Sequence, residues 1–371
     1  MNTYAESYEE TRTVTVPKTI ESIRALRAVA CLLVALFHLS VKMESIGIYS
    51  PLLRCFKSGF GGVDLFFIVS GFVIMYTNSL NIGHPERLLP YVRKRFGRIF
   101  SIYWIVGSGA GLLLTWLHFY APSLQWLRYP IDAAEIIKAF FLLPTHESIL
   151  PVTWTLSYEV YFYLLFGLMI FSRQLAAVPL AVLAATLLGG MLSLSGPYTF
   201  LNTELINFLI SPYNLEFCLG VICCLLVQNG TVRISTFGMV LAALVFALSG
   251  ELIQPYQVWW RVIGFGIPVT ILLLGMIHRE RFGRLTYPQW LLHIGDASYV
   301  LYLIHIPIIM VVTHALQLLG FHAWVLTINL LLFVSLVWFS IQIHLRIEKP
   351  LLRAINRPAR RSECLTISGL R

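Results

Sequence analysis

The residues of this 371-residue chain that could do chemistry stand inside apolar segments. Arg27 and His38 lie eleven residues apart in the run 23–40. An α-helix rises about 1.5 Å per residue, so the two would be separated by roughly 16 Å along one helix axis. That is about half of a hydrocarbon core roughly 30 Å thick. An ionisable group is costly at that depth, so His38 is either hydrogen-bonded to a neighbouring helix or functional.

Two carboxylates also stand in apolar surroundings. Asp64 follows a glycine-rich stretch, and it either caps the start of a helix or holds His38 in one tautomer. Glu159 lies one helical turn from Thr155 on the same helix face. It is either the structural partner of an arginine or a tyrosine, or an acid or base in a reaction.

A basic stretch contains Arg93, Lys94, Arg95 and Arg98. One interpretation is that these charges only set the topology of a membrane protein. The other is a phosphate clamp, because Arg95 and Arg98 are three residues apart on a helix and can face one ligand. Arg27 would lie at the same membrane face, so a nucleotide-containing donor such as coenzyme A fits this second interpretation.

A second histidine and an aromatic cluster stand later in the chain. His305 precedes Pro307, which frees a backbone carbonyl that His305 or Tyr302 could satisfy, so a kink site is one interpretation and a functional site the other. Trp154 and the tyrosines after it either belong to an interfacial aromatic belt or stack against sugar rings.

The composition says which elements must position these residues. The chain is 57% hydrophobic and 12% charged, with a mean hydropathy of +0.76, whereas soluble domains carry about 25% charged residues. It is therefore a polytopic membrane protein, and its net charge of +9 does not indicate nucleic-acid binding. With no H-E-x-x-H motif and no cysteine–histidine cluster, we predict no metal site.

Hydropathy predicts an all-α bundle of about ten transmembrane spans. The predicted spans cover about 24–42, 59–78, 99–118, 152–171, 175–194, 206–227, 232–250, 258–277, 298–318 and 323–344. With a cytoplasmic N-terminus, 21 of the 27 lysines and arginines fall on the cytoplasmic side and 6 outside, so both termini are expected in the cytoplasm. A transmembrane domain over 23–345 would lie between a polar tail, 1–22, and a basic tail, 346–371.

Several of these motifs together resemble the acyltransferase-3 family of integral membrane O-acyltransferases, over most of the chain. The matching residues are Arg27 and His38; Gly62 to Phe67 and Ser70 to Phe72; Arg93, Arg95, Arg98, Tyr103 and Trp104; Trp154 to Glu159; Ser298, Tyr299, Leu301 to Leu303, His305 and Pro307; and Arg346, Glu348 and Pro350. The resemblance implies transfer of an acyl group, often acetyl, from cytoplasmic acyl-CoA to a sugar hydroxyl. The acceptor would be an exopolysaccharide, an O-antigen or a related, possibly lipid-linked, glycan.

On this basis we assign roles to three groups of residues. The expected catalytic residues are His38, Glu159 and Asp64, with Glu159 and Asp64 orienting His38 or the acceptor. The expected acyl-CoA-binding residues are Arg27, Arg93, Arg95 and Arg98. The expected acceptor-binding residues are Trp154, Ser157, Tyr302 and His305. Acyl-CoA would be a substrate rather than a permanently bound cofactor, membrane lipids would surround the protein, and the expected location is the bacterial inner membrane.

Two other functional classes stay open from the residues alone. A multispan transporter of saccharides or lipid-linked saccharides would also place polar groups at depth, but it would not consume acyl-CoA and usually has an internal repeat, which we do not find. A sensory or scaffold protein would not need arginines and a buried histidine in this arrangement.

Overall fold

The computed structural model describes residues 20–120, 133–144, 150–194, 204–230, 233–321 and 324–356, and these residues form helices without a strand. The N-terminal tail before residue 20 and the tail after residue 356 lie outside the described residues. The main helices are α1 (Glu21–Ser45), α2 (Gly62–Asn78), α3 (Leu88–Tyr120), α4 (Ala133–Phe141), α5 (Thr153–Phe171), α6 (Ala177–Leu194), α7 (Tyr213–Asn229), α8 (Thr236–Leu252), α9 (Ile267–Arg281), α10 (Gln289–Asp296), α11 (Ser298–Leu318), α12 (Val325–Ile343) and α13 (Lys349–Ile355).

Short helical turns link several of these helices. Pro51–Arg54 and the 3₁₀ turn Lys57–Gly61 precede α2, and Val258–Arg261 with the π-helical turn Val262–Gly266 precedes α9. The remaining ones are the 3₁₀ turns Ser79–Asn81, Pro85–Arg87 and Arg173–Ala176, the helix Glu204–Leu209, and the π-helical turn His344–Glu348.

Nine helical segments in the described part of the chain are long and apolar enough to cross a membrane. They coincide with nine of the ten predicted spans, and the all-α polytopic bundle is confirmed. The predicted span 232–250 corresponds to α8, which has 17 residues. At about 1.5 Å per residue it extends roughly 26 Å, slightly less than the usual hydrocarbon thickness.

The contacts of α8 show that it runs antiparallel to α9 along most of the length of α9. At one end, the Arg279 guanidinium donates a hydrogen bond to the Thr236 hydroxyl (2.9 Å). At the other end, Ser249 packs directly against Gly264. The C-terminal ends of α7 and α9 lie side by side, since Arg281 donates a hydrogen bond to the Val227 carbonyl (2.6 Å). The chain leaves this end of the bundle through α8 and comes back to it through α9. Helix α8 therefore crosses the bundle despite its shortness.

The core of the bundle is built around α2, which crosses α7 at two glycines. A Cβ atom added to Gly71 would lie 2.0 Å from the Phe217 carbonyl oxygen, and one added to Gly220 would lie 2.0 Å from the Ile68 carbonyl oxygen. Glycine allows the two backbones to approach this closely, as small residues do at helix crossings in membranes. The crossing fixes the depth of α2, which carries Asp64 and Ser70.

The beginning of α1 is fastened to α9 and α10. The Glu280 carboxylate accepts hydrogen bonds from the backbone N–H groups of Glu21 and Ser22, both at 2.7 Å, and so satisfies donors that a helix start leaves free. Arg24 forms a bidentate ion pair with Asp296. The Ser22 hydroxyl forms a hydrogen bond with the Tyr287 hydroxyl, and burial raises the pKa of Tyr287 to about 12. These contacts hold the axis of α1 in place.

Pro307 was expected to free a backbone carbonyl that His305 or Tyr302 would satisfy, and this expectation is wrong. Pro307 lacks the N–H that would bond the carbonyl of Leu303, four residues earlier. His305 instead bonds the carbonyl of Leu301, since a histidine ring on a helix reaches the carbonyl four residues before its own position. The Tyr302 hydroxyl bonds Thr155 on another helix. Both side chains are therefore committed to other contacts.

Candidate active site

A cavity of about 80 Å³ lies between α1, α2, α3, α5 and α11. Along α2 its wall extends from Val73 to Val63, which is roughly 15 Å by helical rise. On α5 the wall extends from Tyr163 to Thr155. The cavity is thus elongated along the bundle axis, and we call the end at Val73 and Tyr163 the arginine end.

Three arginines line this cavity. Arg27 donates a hydrogen bond to the Ser298 hydroxyl (2.8 Å), and Arg98 lines the same cavity. Arg95 is 5% exposed, donates to the Thr77 hydroxyl and lies 5.6 Å from the centre of the Tyr163 ring. Three positive groups in one cavity are complementary in charge to an anion.

The fourth predicted arginine, Arg93, does not belong to the cavity. Its side chain is exposed on α3 and is absent from the cavity wall. A helix turns about 100° per residue, so Arg93 points about 200° away from Arg95, whereas Arg98 returns to within about 60° of it. Of the four arginines expected to bind the donor, Arg27, Arg95 and Arg98 therefore line the cavity and Arg93 does not.

Glu159 is the acidic residue among the residues that line the cavity. Its carboxylate accepts hydrogen bonds from the Tyr163 hydroxyl and from the Ser70 hydroxyl (3.2 Å). The predicted common helix face of Thr155 and Glu159 is confirmed, since both line the cavity. Three arginines and one glutamate line the cavity, so basic side chains outnumber acidic ones and an anion is the ligand that matches it in charge.

The far end of the cavity is lined by Thr155 and Tyr302, whose hydroxyls lie 2.8 Å apart. Phe66 packs edge-on against the Tyr302 ring, with the ring centres 5.6 Å apart. Tyr302 lies three residues before His305 on α11, and the two ring centres are 5.8 Å apart. The cavity therefore ends one helical turn from His305.

His38 and His305 form a hydrogen-bonded pair beyond that end. His305 Nε2 lies 3.1 Å from His38 Nδ1, and the ring centres are 5.1 Å apart. His305 is fully buried, whereas His38 is partly exposed. His38 Nδ1 also lies 2.9 Å from the Val34 carbonyl oxygen. The pair was not predicted, because His305 was expected to bind the acceptor.

Asp64 does not hold His38, and that expectation is wrong. The Asp64 carboxylate forms a bidentate ion pair with Arg261, with Nε–Oδ1 at 3.1 Å and Nη2–Oδ2 at 2.7 Å. Both residues are buried, and Arg261 also donates to the Tyr213 hydroxyl and to the Pro255 carbonyl, each at 3.0 Å. A buried carboxylate needs a cation, and the nearest one is supplied by the turn before α9.

Glu159 is likewise bonded to residues other than His38. Its partners, Tyr163 and Ser70, lie towards the arginine end of the cavity, while the histidine pair lies beyond the opposite end. Glu159 therefore does not orient His38, which leaves the orientation of the acceptor as the other part of that expectation.

Besides His305, two further predicted acceptor-binding residues, Trp154 and Ser157, lie outside the cavity wall. Trp154 is 37% exposed and packs against Tyr158 and Tyr213, with ring centres 6.1 and 5.5 Å apart. Ser157 is buried, and its hydroxyl donates to the Thr153 carbonyl of its own helix (3.4 Å). Trp154 is thus partly exposed, and Ser157 has a local backbone partner.

The sequence contained signals for some of the residues that were missed. Thr155, Glu159 and Tyr163 are spaced four apart, so the hydroxyl of Tyr163 could be expected beside Glu159. The pairing of Arg261 with Asp64 had no local signal, because 197 positions separate them in the chain.

Comparison with known proteins identifies the chain. A family model described as an acyltransferase domain matches residues 20–343. The chain belongs to the acyltransferase-3 family. It is therefore a multi-pass membrane acyltransferase, and the matched region contains every cavity residue named above together with the histidine pair.

Relatives in this family have names that refer to polysaccharide and acetyl chemistry. The chain is 27% identical over 320 residues to the exopolysaccharide production protein ExoZ of Rhizobium meliloti. The aligned region covers 80% of this chain and 91% of ExoZ. It is 26% identical over 333 residues to the O-acetyltransferase OatA of Staphylococcus aureus, and this aligned region covers 80% of the chain and 51% of OatA. No solved structure matches the chain.

Proposed function

We propose that this protein is an O-acyltransferase that moves an acyl group, in the simplest case acetyl, from acyl-CoA to a hydroxyl of a cell-surface saccharide. The family membership and the names of ExoZ and OatA support the class of reaction and the saccharide acceptor. The observation that carries the proposal is an elongated, net positive cavity that ends one helical turn from a histidine pair.

In this proposal the donor enters the cavity, which must widen on binding because its volume of about 80 Å³ is smaller than an acyl-CoA molecule. Coenzyme A has several phosphates, which match the positive charges of Arg27, Arg95 and Arg98. The pantetheine arm runs along the roughly 15 Å between Val73 and Val63. Its thioester then arrives beside Tyr302, next to the histidine pair.

His38 acts as the general base. It takes the proton from the acceptor hydroxyl, the hydroxyl oxygen forms a bond to the thioester carbon, and the carbon–sulfur bond breaks. The proton then passes from His38 to the sulfur of coenzyme A, so His38 returns to its starting state. His38 suits this role because it is partly exposed, whereas its partner His305 is buried.

The arginine end of the cavity faces the cytoplasm in this proposal, and the membrane is the bacterial inner membrane. The excess of lysine and arginine on this side supports that orientation. The acceptor, free or lipid-linked, approaches His38 from the opposite end of the bundle, where the exposed Trp154 ring offers a stacking surface for a sugar.

The proposal is tested with purified protein in lipid nanodiscs, labelled acetyl-CoA and a soluble oligosaccharide acceptor. We expect His38→Ala to lower transfer by about 100-fold or more, which is the usual scale for the loss of a general base. The matched control is His293→Ala, because His293 is exposed on α10. Wild-type transfer by His38→Ala would contradict the role of His38, and labelled acetyl-CoA that is never consumed would contradict the proposed donor.

A further inference from the structure

The fully buried ring of His305 has hydrogen-bond partners at both of its nitrogens. We propose that His305 is a positioning residue, which keeps His38 in the tautomer of a general base and stabilises its protonated form. This inference rests on the proposed function, since it assigns to His305 a role that acts through His38. It also moves His305 from acceptor binding to support of the base.

The first step is the protonation of His305 itself. Its Nδ1 lies 3.1 Å from the Leu301 carbonyl oxygen, and a carbonyl oxygen only accepts hydrogen bonds. Nδ1 therefore carries the hydrogen of the neutral ring, and Nε2 presents a lone pair. That lone pair faces His38 Nδ1 at 3.1 Å. His305 is thus an acceptor for His38.

The second step is the tautomer of His38. Its Nδ1 faces two acceptors, the Val34 carbonyl oxygen at 2.9 Å and His305 Nε2 at 3.1 Å. If Nδ1 carried a lone pair instead of a hydrogen, that lone pair would repel those of both acceptors. The hydrogen of neutral His38 therefore stays on Nδ1. The lone pair of His38 then lies on Nε2, the nitrogen that takes the proton of the acceptor hydroxyl.

The third step is the charge that His38 carries during transfer. Once Nε2 has accepted the proton, the ring is a cation, and its Nδ1–H donates a stronger hydrogen bond to His305 Nε2 than the neutral ring does. A carboxylate in place of His305 would be a buried charge even when His38 is neutral, and burying a charge is costly. A neutral histidine avoids that cost, which fits a position with no exposure.

The test compares His305→Leu, His305→Phe and His305→Gln in nanodiscs with labelled acetyl-CoA. We expect His305→Leu and His305→Phe, which remove the acceptor, to lower kcat by about 10- to 100-fold, less than the loss of the base itself. The KM for acetyl-CoA should stay within about twofold, because His305 is outside the donor cavity. His305→Gln should recover part of kcat, since its amide oxygen can accept from His38 Nδ1.

A double-mutant cycle separates this role from a general effect on the fold. In the His38→Ala background, His305→Leu should lower the residual transfer no further, because the two residues act as a unit. An equal loss in both backgrounds would overturn the inference. If His305→Leu does not insert into the membrane, His305→Phe serves in the same cycle, since its ring fills the same space without an acceptor.

The outcome also distinguishes the two proposals. Wild-type kcat in His305→Phe together with an inactive His38→Ala protein would overturn the positioning role and leave the proposed function intact. An active His38→Ala protein would instead overturn the role of His38 in the proposed function, and the role of His305 with it.

Discussion

The arginines of α3 differ in burial, and this difference distinguishes the two that we propose bind the donor, Arg95 and Arg98, from Arg93. Arg95 lines the cavity beside Arg98, whereas Arg93 is exposed on the opposite face of the helix. We expect Arg95→Ala and Arg98→Ala to raise the KM for acyl-CoA about 10-fold or more, with a smaller effect on the KM for the acceptor. Lysine at either position should restore part of the affinity, because it keeps the charge but lacks the planar fork that binds phosphate.

Arg93→Ala is the matched control for this prediction, since it removes an arginine from the same helix without touching the cavity. Its KM for acyl-CoA should equal that of the wild type in the same steady-state assay. Equal effects of all three alanine variants would mean that the charge of this membrane face, rather than the cavity, determines donor affinity.

Among the elements, the crossing of α2 and α7 decides where the cavity wall lies. Both Gly71 and Gly220 have a backbone carbonyl of the opposite helix where a Cβ would be placed. Gly71→Ala or Gly220→Ala must therefore push the two helices apart, at a cost typical of overpacking, about 1–3 kcal/mol. We expect a lower unfolding temperature in detergent, measured by intrinsic fluorescence, and reduced transfer because Ser70 and Phe66 on α2 line the cavity.

Gly109 on α3 provides the comparison for this pair, because an added Cβ there meets no atom within 4 Å. Gly109→Ala should leave the unfolding temperature unchanged or raise it slightly, since alanine favours a helix over glycine. If Gly71→Ala were as stable as Gly109→Ala, the close crossing of α2 and α7 would not be what holds these helices.

For the whole molecule, the proposed function places the two substrates on opposite sides of the membrane. The cavity arginines lie at one end of the bundle and Trp154 begins α5 from the other. In sealed inside-out vesicles, external acetyl-CoA should acylate an impermeant saccharide trapped in the lumen. In right-side-out vesicles, the same external acetyl-CoA should produce no acylation of the trapped saccharide.

The control for the vesicle experiment is the same preparation opened with mild detergent, in which both orientations should show equal transfer. If acylation required both substrates on the cytoplasmic face, transfer across the membrane would be excluded. The protein would then modify a lipid-linked precursor on the cytoplasmic side, before export.

The sequence by itself determined the helices and the relationships within each helix. Apolar length located the spans, because in a membrane every backbone polar group must be satisfied inside its own helix, and a long apolar run has few other structures open to it. Helical periodicity likewise placed Thr155 with Glu159, and Arg95 with Arg98, on common faces. These features are local, so they can be read from spacing along the chain.

Only the tertiary structure decided which helices face one another and which polar groups pair. His38 meets His305 across 267 positions, and Asp64 meets Arg261 across 197. Nothing local to Asp64 distinguishes His38 from Arg261 as its partner, since the choice depends on how each helix is rotated and on close glycine contacts such as that of Gly71. The physical reason is that hydropathy fixes how deep a residue lies, whereas the packing of neighbouring helices fixes the direction in which its side chain meets another.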